Sequence, residues 1–165
     1  MKNTITRAVI IKVITYFGRD IRRINHALKV HAFAKAIGEA EIINDEKLLI
    51  LELTAILHDV GIKESEKKYN SSSGNYQEIE GPPVACELLA DFNLKSQFID
   101  RICYIIGNHH TYSKIDDIDF QILVEADFLV NIFEDNFNDH AISIVKRKHF
   151  KTASGISFLD SMFQN

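Results

Sequence analysis

The chain has 165 residues, enough for one ordinary domain with a buried core. Apolar residues make up 46% of it, and the formal net charge is -4. The negative charge argues against an extended nucleic-acid-binding face, and no apolar run is long enough to span a membrane. No signal-like apolar segment forms before Arg19 and Asp20. Cys86 and Cys103 form no CxxC pair, so we interpret them as reduced, buried thiols of a cytoplasmic protein.

Helical periodicity organises the first third of the chain. Residues 4–17 are rich in β-branched side chains, so a strand competes there, but the apolar spacing favours a helix that ends before Gly18. In residues 22–37, His26 and apolar residues recur every three or four positions and share one helical face. The apolar run 48–57 predicts a central helix that ends near Gly61.

The second half is predicted to alternate between helices and polar segments. Residues 63–80 are charged and serine-rich without periodicity, so we predict a long loop. A helix is expected to start at residues 81–83, Gly-Pro-Pro, because proline suits the first turn. Further helices are expected over residues 96–109 and 120–133. The tail, 141–165, carries a basic patch at 146–151 and a short helix at 157–163. We therefore predict an all-α single domain, residues 1–165, that forms a bundle of about six helices.

Four ionisable side chains fall on helical faces that should be buried: His26, His58, Asp59 and Asp127. Burying such groups is costly unless they are paired, hydrogen-bonded or bound to metal. Imidazole nitrogen and carboxylate oxygen together suit a divalent transition metal. Spacing alone does not require these residues to converge. His26 taken alone is more often an ordinary hydrogen-bonded histidine, whereas a carboxylate at mid-helix, such as Asp127, must find a partner.

The order and the flanks of these residues resemble the HD-domain superfamily of metal-dependent phosphohydrolases, whose signature is H…HD…D. Residues 26–30 resemble its H-x-x-x-V motif, and residues 55–61, Ala-Ile-Leu-His-Asp-Val-Gly, its A-x-L-H-D-I-G motif. Three more stretches resemble family motifs: 81–89 its G-A-x-x-A-x-x-x-L helix, 106–110 its I-x-x-H-H and 125–129 its D-A-D-x-L. The resemblance covers roughly residues 22–133 and implies an all-α HD-type bundle.

The resemblance also implies a metal site. Its ligands would be His26, His58, Asp59 and Asp127, which would hold one divalent ion (manganese, iron, magnesium, nickel or cobalt). A second ion is left open. Such an ion would lower the pKa of its water and polarise a phosphoryl oxygen. Asp59 would also orient or deprotonate the attacking water.

Three further residues are implied as catalytic helpers. Lys63, His109 and His110 would assist the phosphate, although one of the two histidines could instead be a ligand of a second ion while the other covers the helix end. The implied enzyme is a phosphomonoesterase, a phosphodiesterase or a nucleotide pyrophosphohydrolase. Its expected partner is a small phosphorylated substrate, with a nucleotide favoured. We expect it to bind neither extended nucleic acid nor a membrane. A homodimer is left open.

Two positions depart from the family pattern. The lysine that often follows H-D-x-G is Ile62 here, with Lys63 one position later. A histidine that binuclear members often carry four residues before the motif glycine is Gln77 here, and a neutral amide is a poor substitute for imidazole. A full two-metal centre is therefore less expected. The alternatives are a di-iron HD-type oxygenase and a non-catalytic, metal-binding regulatory module.

The predicted loop 63–80 lies directly after the His-Asp pair. It would form a lid or a substrate wall, with Lys63, Tyr76, Gln77 and Glu78 as candidate contacts. A floppy surface loop is an equally good interpretation of its composition.

Overall fold

The computed structural model describes residues 2–163, which form α-helices joined by short turns. The helices are α1 (Lys2–Phe17), α2 (Ile21–Ala40), α3 (Asp45–Leu57), α4 (Gly61–Tyr69), α5 (Gly74–Leu89), α6 (Ser96–Ile106), α7 (Ile118–Glu134), α8 (Asp139–His149) and α9 (Ala153–Phe163). A short 3-10 helix, Tyr112–Lys114, joins α6 to α7. The predicted all-α class is confirmed, but residues 2–163 contain nine α-helices rather than about six.

Helix α3 lies at the centre of the fold because it is apolar on nearly all sides. Every residue from Leu49 to Leu57 is buried, and α1, α2, α6 and α7 pack around the helix. Asn44 caps its start by accepting a hydrogen bond from the Lys47 backbone N–H at 2.9 Å. The helix ends at Leu57, so the next two residues, His58 and Asp59, begin a turn inside the protein.

Helices α2 and α7 pack on α3 and on each other. The face of α2 that turns inward contains His26 together with small and branched apolar residues such as Val30 and Ile37. Helix α7 contributes a longer buried stripe, from Asp119 to Ile132. The helical assignments that the sequence predicted for these segments are confirmed.

The predicted loop at residues 63–80 is wrong. This region contains α4 and the first half of α5, with only residues 70–73 between them, and Asn70 makes the turn in the left-handed conformation (φ 51°). The two helices hold each other in place: the rings of Tyr69 and Tyr76 stack at 4.1 Å, and Glu80 accepts hydrogen bonds from Lys68 and the Tyr69 hydroxyl. Their polar sequences therefore gain stability from pairing across the turn.

Helix α5 also begins earlier than the sequence predicted. It starts at Gly74, so Pro82 and Pro83 lie inside the helix and do not start it. Gly61 does not end a helix either, because it is the first residue of α4. A Cβ atom at Gly61 would lie 2.5 Å from the Gln77 carbonyl oxygen and 2.6 Å from the Gly81 nitrogen. Because glycine has no Cβ atom, α4 can start against the middle of α5, close to the His58–Asp59 turn.

The C-terminal segment is more helical than predicted. Helices α8 and α9 pack against α7, and the short helix expected at 157–163 is part of α9. The basic residues cluster in the last turn of α8, where positive charge is favourable, and Lys146 pairs with Asp160 at 2.6 Å. Between residues 2 and 163, no helix has the length and apolar character needed to cross a membrane.

The two cysteines are free thiols, but they are not both buried. Cys86 is exposed on α5 and Cys103 is half-buried on α6, with the two sulfur atoms 3.0 Å apart.

Candidate metal centre

Three packed helices bring four ionisable side chains to one point. His26 comes from the buried face of α2, His58 and Asp59 from the turn after α3, and Asp127 from the middle of α7. His26 Nε2 lies 3.1 Å from Asp127 Oδ1 and 3.6 Å from Asp59 Oδ2. His58 Nε2 lies 3.6 Å from each of the same two oxygens. We call these four residues, with Asp59 contributing Oδ2, the first group.

The first group has the dimensions of a metal site. Adjacent ligand atoms that each lie about 2.0–2.2 Å from an ion are roughly 3 to 3.6 Å apart. The measured separations fall in this range. Candidate ligand atoms of His26, His58 and Asp59 also lie within 4.8 Å of one another. The spacing therefore fits a single ion bound by two imidazoles and two carboxylates.

Hydrogen bonds orient the imidazoles for this role. His58 Nδ1 is 2.9 Å from the Ala55 carbonyl oxygen, and His109 Nδ1 is 2.7 Å from that of Ile106. Because a carbonyl oxygen only accepts, each Nδ1 must carry the proton, which leaves the lone pair on Nε2 when the ring is neutral. Both Nε2 atoms are buried without a hydrogen-bond partner in the structure described. A buried polar atom without a partner is costly, and a metal ion would satisfy it.

The electrostatics of the first group favour a bound cation. Burial opposes protonation of His58, but the charges of Asp59 and Asp127 outweigh it and raise its pKa to about 9. The pKa of His26 is also raised, against its burial, by Asp127. Burial likewise opposes ionisation of Asp59 and Asp127, yet the neighbouring histidines hold the pKa of both carboxyls below the usual range. The carboxylates thus attract positive charge, which a proton or a divalent ion can supply.

A second group of side chains faces the other oxygen of Asp59. His109 Nε2 lies 3.6 Å from Asp59 Oδ1, and candidate ligand atoms of Asp59, His109 and His110 lie within 4.8 Å of one another. Gln77 completes the set: its side-chain oxygen is 3.2 Å from His110 Nε2. We call Asp59 Oδ1, His109, His110 and Gln77 the second group.

The second group is less ready for a metal than the first. The Gln77 side-chain NH2 donates to the Ser72 carbonyl oxygen at 2.7 Å, which turns its Oε1 toward His110. His110 Nε2 must then donate its proton to this oxygen and cannot serve as a ligand at the same time. Burial and the neighbouring His109 lower the pKa of His110 to about 4, so the ring is neutral. Glu78 fixes the segment by accepting the His110 backbone N–H at 3.0 Å.

Both groups border a cleft of about 470 Å³. Five carboxylates and two guanidinium groups line it: Asp20, Asp59, Asp127, Glu134 and Asp135, with Arg22 and Arg23. The guanidinium groups are already paired, because Arg23 contacts Glu66 and Asp20 at 2.6 and 2.8 Å, and Arg22 lies 3.5 Å from Asp135. An anionic substrate would therefore depend on a metal ion for most of the positive charge that it meets in the cleft.

Several residues predicted from the sequence lie elsewhere. Lys63 donates to the Tyr16 carbonyl oxygen at 2.8 Å and sits over the Tyr16 ring, so its ammonium group is directed away from the cleft. Tyr76 is stacked on Tyr69, and Glu78 holds the segment with His110. None of these three side chains lines the cleft, whereas Gln77 does. The predicted lid is likewise not a loop, since residues 61–69 and 74–89 are helical.

The acidic partner of His26 was not predicted from the sequence. Glu134 Oε2 lies 3.0 Å from His26 Nδ1. Glu134 follows Asp127 by seven positions, which is two turns along the same face of α7. The helical repeat counted from Asp127 places Glu134 on the same face of α7, so the sequence contained a signal for this residue.

Comparison with known proteins agrees with this geometry. The family model of the HD domain matches residues 23–132, well over half of the chain. No curated protein matches the sequence. The fold is similar to the crystal structure of a predicted HD superfamily hydrolase from an uncultured Thermotogales bacterium. The TM-score is 0.69 at 22% identity, and the match covers 95% of this chain and 84% of the other, a likeness that concerns the fold alone. The extent of the family match shows that the chain belongs to the HD-domain family.

Proposed function

We propose that the protein is a metal-dependent phosphohydrolase that acts on a small phosphate ester, with a nucleotide as the favoured substrate class. The single observation that carries the proposal is the first group, in which two imidazoles and two carboxylates are spaced as ligands beside an open cleft. The name of the structural neighbour, a predicted hydrolase, is consistent with it.

The first group would bind the ion. His26, His58, Asp59 and Asp127 would hold one divalent ion through Nε2 and carboxylate oxygens. When bound, such an ion lowers the pKa of water and polarises a phosphoryl oxygen. The cleft leaves room on the solvent side of these ligands for water and substrate.

Asp59 has a second task in this scheme, because its Oδ1 is free of the first group and lies on the side of His109. A carboxylate whose pKa is strongly lowered is a weak proton acceptor, so Asp59 is better suited to orient the attacking water than to keep its proton. His109, whose Nε2 has no hydrogen-bond partner among residues 2–163 and lies 3.6 Å from Asp59 Oδ1, is placed to accept that proton. His110 is neutral and lies at the cleft wall, and its single N–H, which is donated to Gln77, would hydrogen-bond a phosphate oxygen only by leaving that amide.

One ion is the stoichiometry we propose for the unmodified chain. The second group shares its carboxylate with the first and ties His110 to the amide of Gln77. A di-iron oxygenase, which would need both groups loaded, is the second candidate, and His109 with its unpartnered Nε2 is the observation in its favour. A metal-stabilised regulatory module would keep the first group and lack turnover.

The test is phosphate release from a panel of nucleotides and generic phosphate esters. Metal-stripped protein receives manganese, iron, magnesium, nickel or cobalt in turn, and the Asp59→Ala variant is assayed beside it. We expect release that requires the ion and disappears in the variant. Silence across the panel, with metal binding established by elemental analysis, would refute the proposal. Two irons per chain would then favour the oxygenase, and one exchangeable ion the regulatory module.

A further inference from the structure

We propose that Glu134 is a positioning residue of the metal centre, which keeps His26 in the orientation and tautomer that a metal ligand needs. The proposal rests on the metal site of the proposed function but not on its reaction. Glu134 Oε2 lies 3.0 Å from His26 Nδ1, and His26 Nε2 faces Asp127 and Asp59 on the opposite side of the ring. The imidazole is thus held between an outer carboxylate and the ligand position.

His26 needs such a partner because of where it lies. His58 and His109 sit in turns, and each donates Nδ1–H to the backbone carbonyl three residues earlier. His26 lies inside α2, where the preceding carbonyl groups accept helical hydrogen bonds. Its Nδ1 therefore depends on a side chain from another element, and α7 supplies Glu134 from a position 108 residues away.

Glu134 is itself held in place. Lys29, one turn after His26 on α2, donates to its other oxygen, Oε1. The Glu134 side chain is 13% exposed, and it shares a face of α7 with Asp127 two turns earlier. Helices α2 and α7 therefore meet through two matched contacts, His26 with Asp127 and the His26–Lys29 pair with Glu134. This arrangement leaves the carboxylate little freedom to turn away from the imidazole.

The expected consequence is tighter metal binding. A carboxylate that accepts the Nδ1 proton of a histidine fixes the lone pair on Nε2, orients the ring and makes Nε2 a stronger donor. Loss of such an outer partner typically weakens metal affinity about 10- to 100-fold. The effect should appear in binding itself, independently of whether any phosphate ester is turned over.

The experiment measures the affinity of the full chain for cobalt(II) by competition with a chromophoric chelator, together with the visible absorption of the bound ion. The variants are Glu134→Ala, which removes the partner, and Glu134→Gln, which keeps a hydrogen-bond acceptor without the charge. Asp135→Asn is the matched control, because it removes the next carboxylate of the same cleft, which contacts Arg22 and not His26.

We expect Glu134→Ala to weaken cobalt binding about 10- to 100-fold and to alter the cobalt spectrum. Glu134→Gln should recover part of the affinity, and Asp135→Asn should change it less than about threefold. Wild-type affinity in Glu134→Ala, or an equal loss in Asp135→Asn, would overturn the proposal. If circular dichroism shows that Glu134→Ala does not fold, the isosteric Glu134→Gln variant decides: unchanged cobalt affinity and an unchanged spectrum would overturn the proposal.

The wild-type protein separates this inference from the proposed function. If it binds cobalt but hydrolyses no phosphate ester, the proposed function is refuted and this inference stands. If it binds no divalent ion, both are refuted.

Discussion

The two groups that flank Asp59 use similar side chains but differ in readiness to bind metal. The first group joins two imidazoles and two carboxylates from α2, α7 and the turn after α3, and leaves His58 Nε2 without a partner. The second group has the shared carboxylate, two imidazoles and an amide, and the amide already bonds one of the imidazoles. One residue, Gln77, accounts for most of this difference.

The two groups differ in whether a hydrogen bond already engages the nitrogen atom that would bind metal. A histidine that coordinates an ion through one nitrogen cannot donate a hydrogen bond from that nitrogen at the same time. In the first group every Nδ1 is bonded outward and every Nε2 faces carboxylates that are themselves candidate ligands, so the bond between His26 Nε2 and Asp127 at 3.1 Å would be replaced by an ion that both residues bind. In the second group this holds for His109 but not for His110, whose Nε2 is bonded to Gln77.

The largest effect should follow from breaking the first group. Asp127→Ala removes one proposed ligand and the hydrogen-bond partner of His26 while leaving the second group intact. We expect metal-dependent phosphate release to fall at least about 1000-fold, more than the roughly 10- to 100-fold typical when an outer partner is lost. Asp91→Asn, which changes an exposed carboxylate that pairs with Lys12, is the control and should retain full activity. Substantial turnover by Asp127→Ala would mean that the second group suffices.

The pH dependence of stability should reveal the charge of the first group in the metal-free protein. Asp59 and Asp127 raise the pKa of His58, against its burial, to about 9 from the 6.5 of an ordinary histidine. A raised pKa stabilises the fold fully below about pH 6.5, and this stabilisation is lost as the pH rises through about 9. We expect metal-free protein to lose on the order of 3 kcal/mol of unfolding free energy across this interval.

Urea unfolding at several pH values, with and without a bound ion, measures this loss. If His58 is a ligand of the bound ion, it carries no extra proton in the metal-loaded protein, and the same decline should be absent. His58→Gln should also flatten the profile of metal-free protein. If the free energy of unfolding declines equally in wild type and His58→Gln, the decline arises from other groups and not from His58.

Replacing Gln77 should sharpen the contrast between the two groups. Gln77→His supplies an imidazole and removes the amide oxygen that occupies His110 Nε2. We expect elemental analysis to find about one tightly held ion per chain in the wild type and about two in the variant. Gln77→Leu, which frees His110 without adding a ligand, should remain at about one. Two tightly held ions in the wild type would show that the Gln77–His110 bond yields to metal.

The smallest effect should come from Lys63, which belongs to neither group. Its ammonium group donates to the Tyr16 carbonyl oxygen outside the cleft. We expect Lys63→Ala to change kcat/KM less than about threefold, because surface substitutions away from a site usually alter free energies by no more than about 0.5 kcal/mol. A loss near 100-fold in steady-state assays would mean that Lys63 swings toward the phosphate during turnover.

Much of the first group could be predicted from the sequence. The apolar run that forms α3 must be buried, so the His58–Asp59 pair at its end had to lie inside the protein. Helical periodicity placed His26 and Asp127 on inward faces, and the motif order linked the four residues. The helical pattern predicts that these ionisable groups are buried, and buried ionisable groups must pair with one another or with an ion.

The region of α4 and α5 could not be predicted in the same way. The sequence of α4 is mostly polar, and only Gly61, Ile62 and Ser65 are buried, so it lacks a wide apolar stripe. Its helical form depends on Tyr69, Tyr76 and Glu80 meeting across a four-residue turn. Pro82 and Pro83, which cost helical hydrogen bonds, are tolerated because α5 already packs against α4 and α6.

The helical class, the central buried helix and the four residues of the first group could all be predicted from the sequence. Three contacts appear only in the folded chain: Glu134 with His26, Lys63 with Tyr16, and Gln77 with His110. The two sets of features differ in the range of the interactions behind them. Burial and periodicity act along neighbouring residues and can be recognised in the sequence, whereas the two partners of a hydrogen bond can lie as many as 113 residues apart and meet only once the helices have packed.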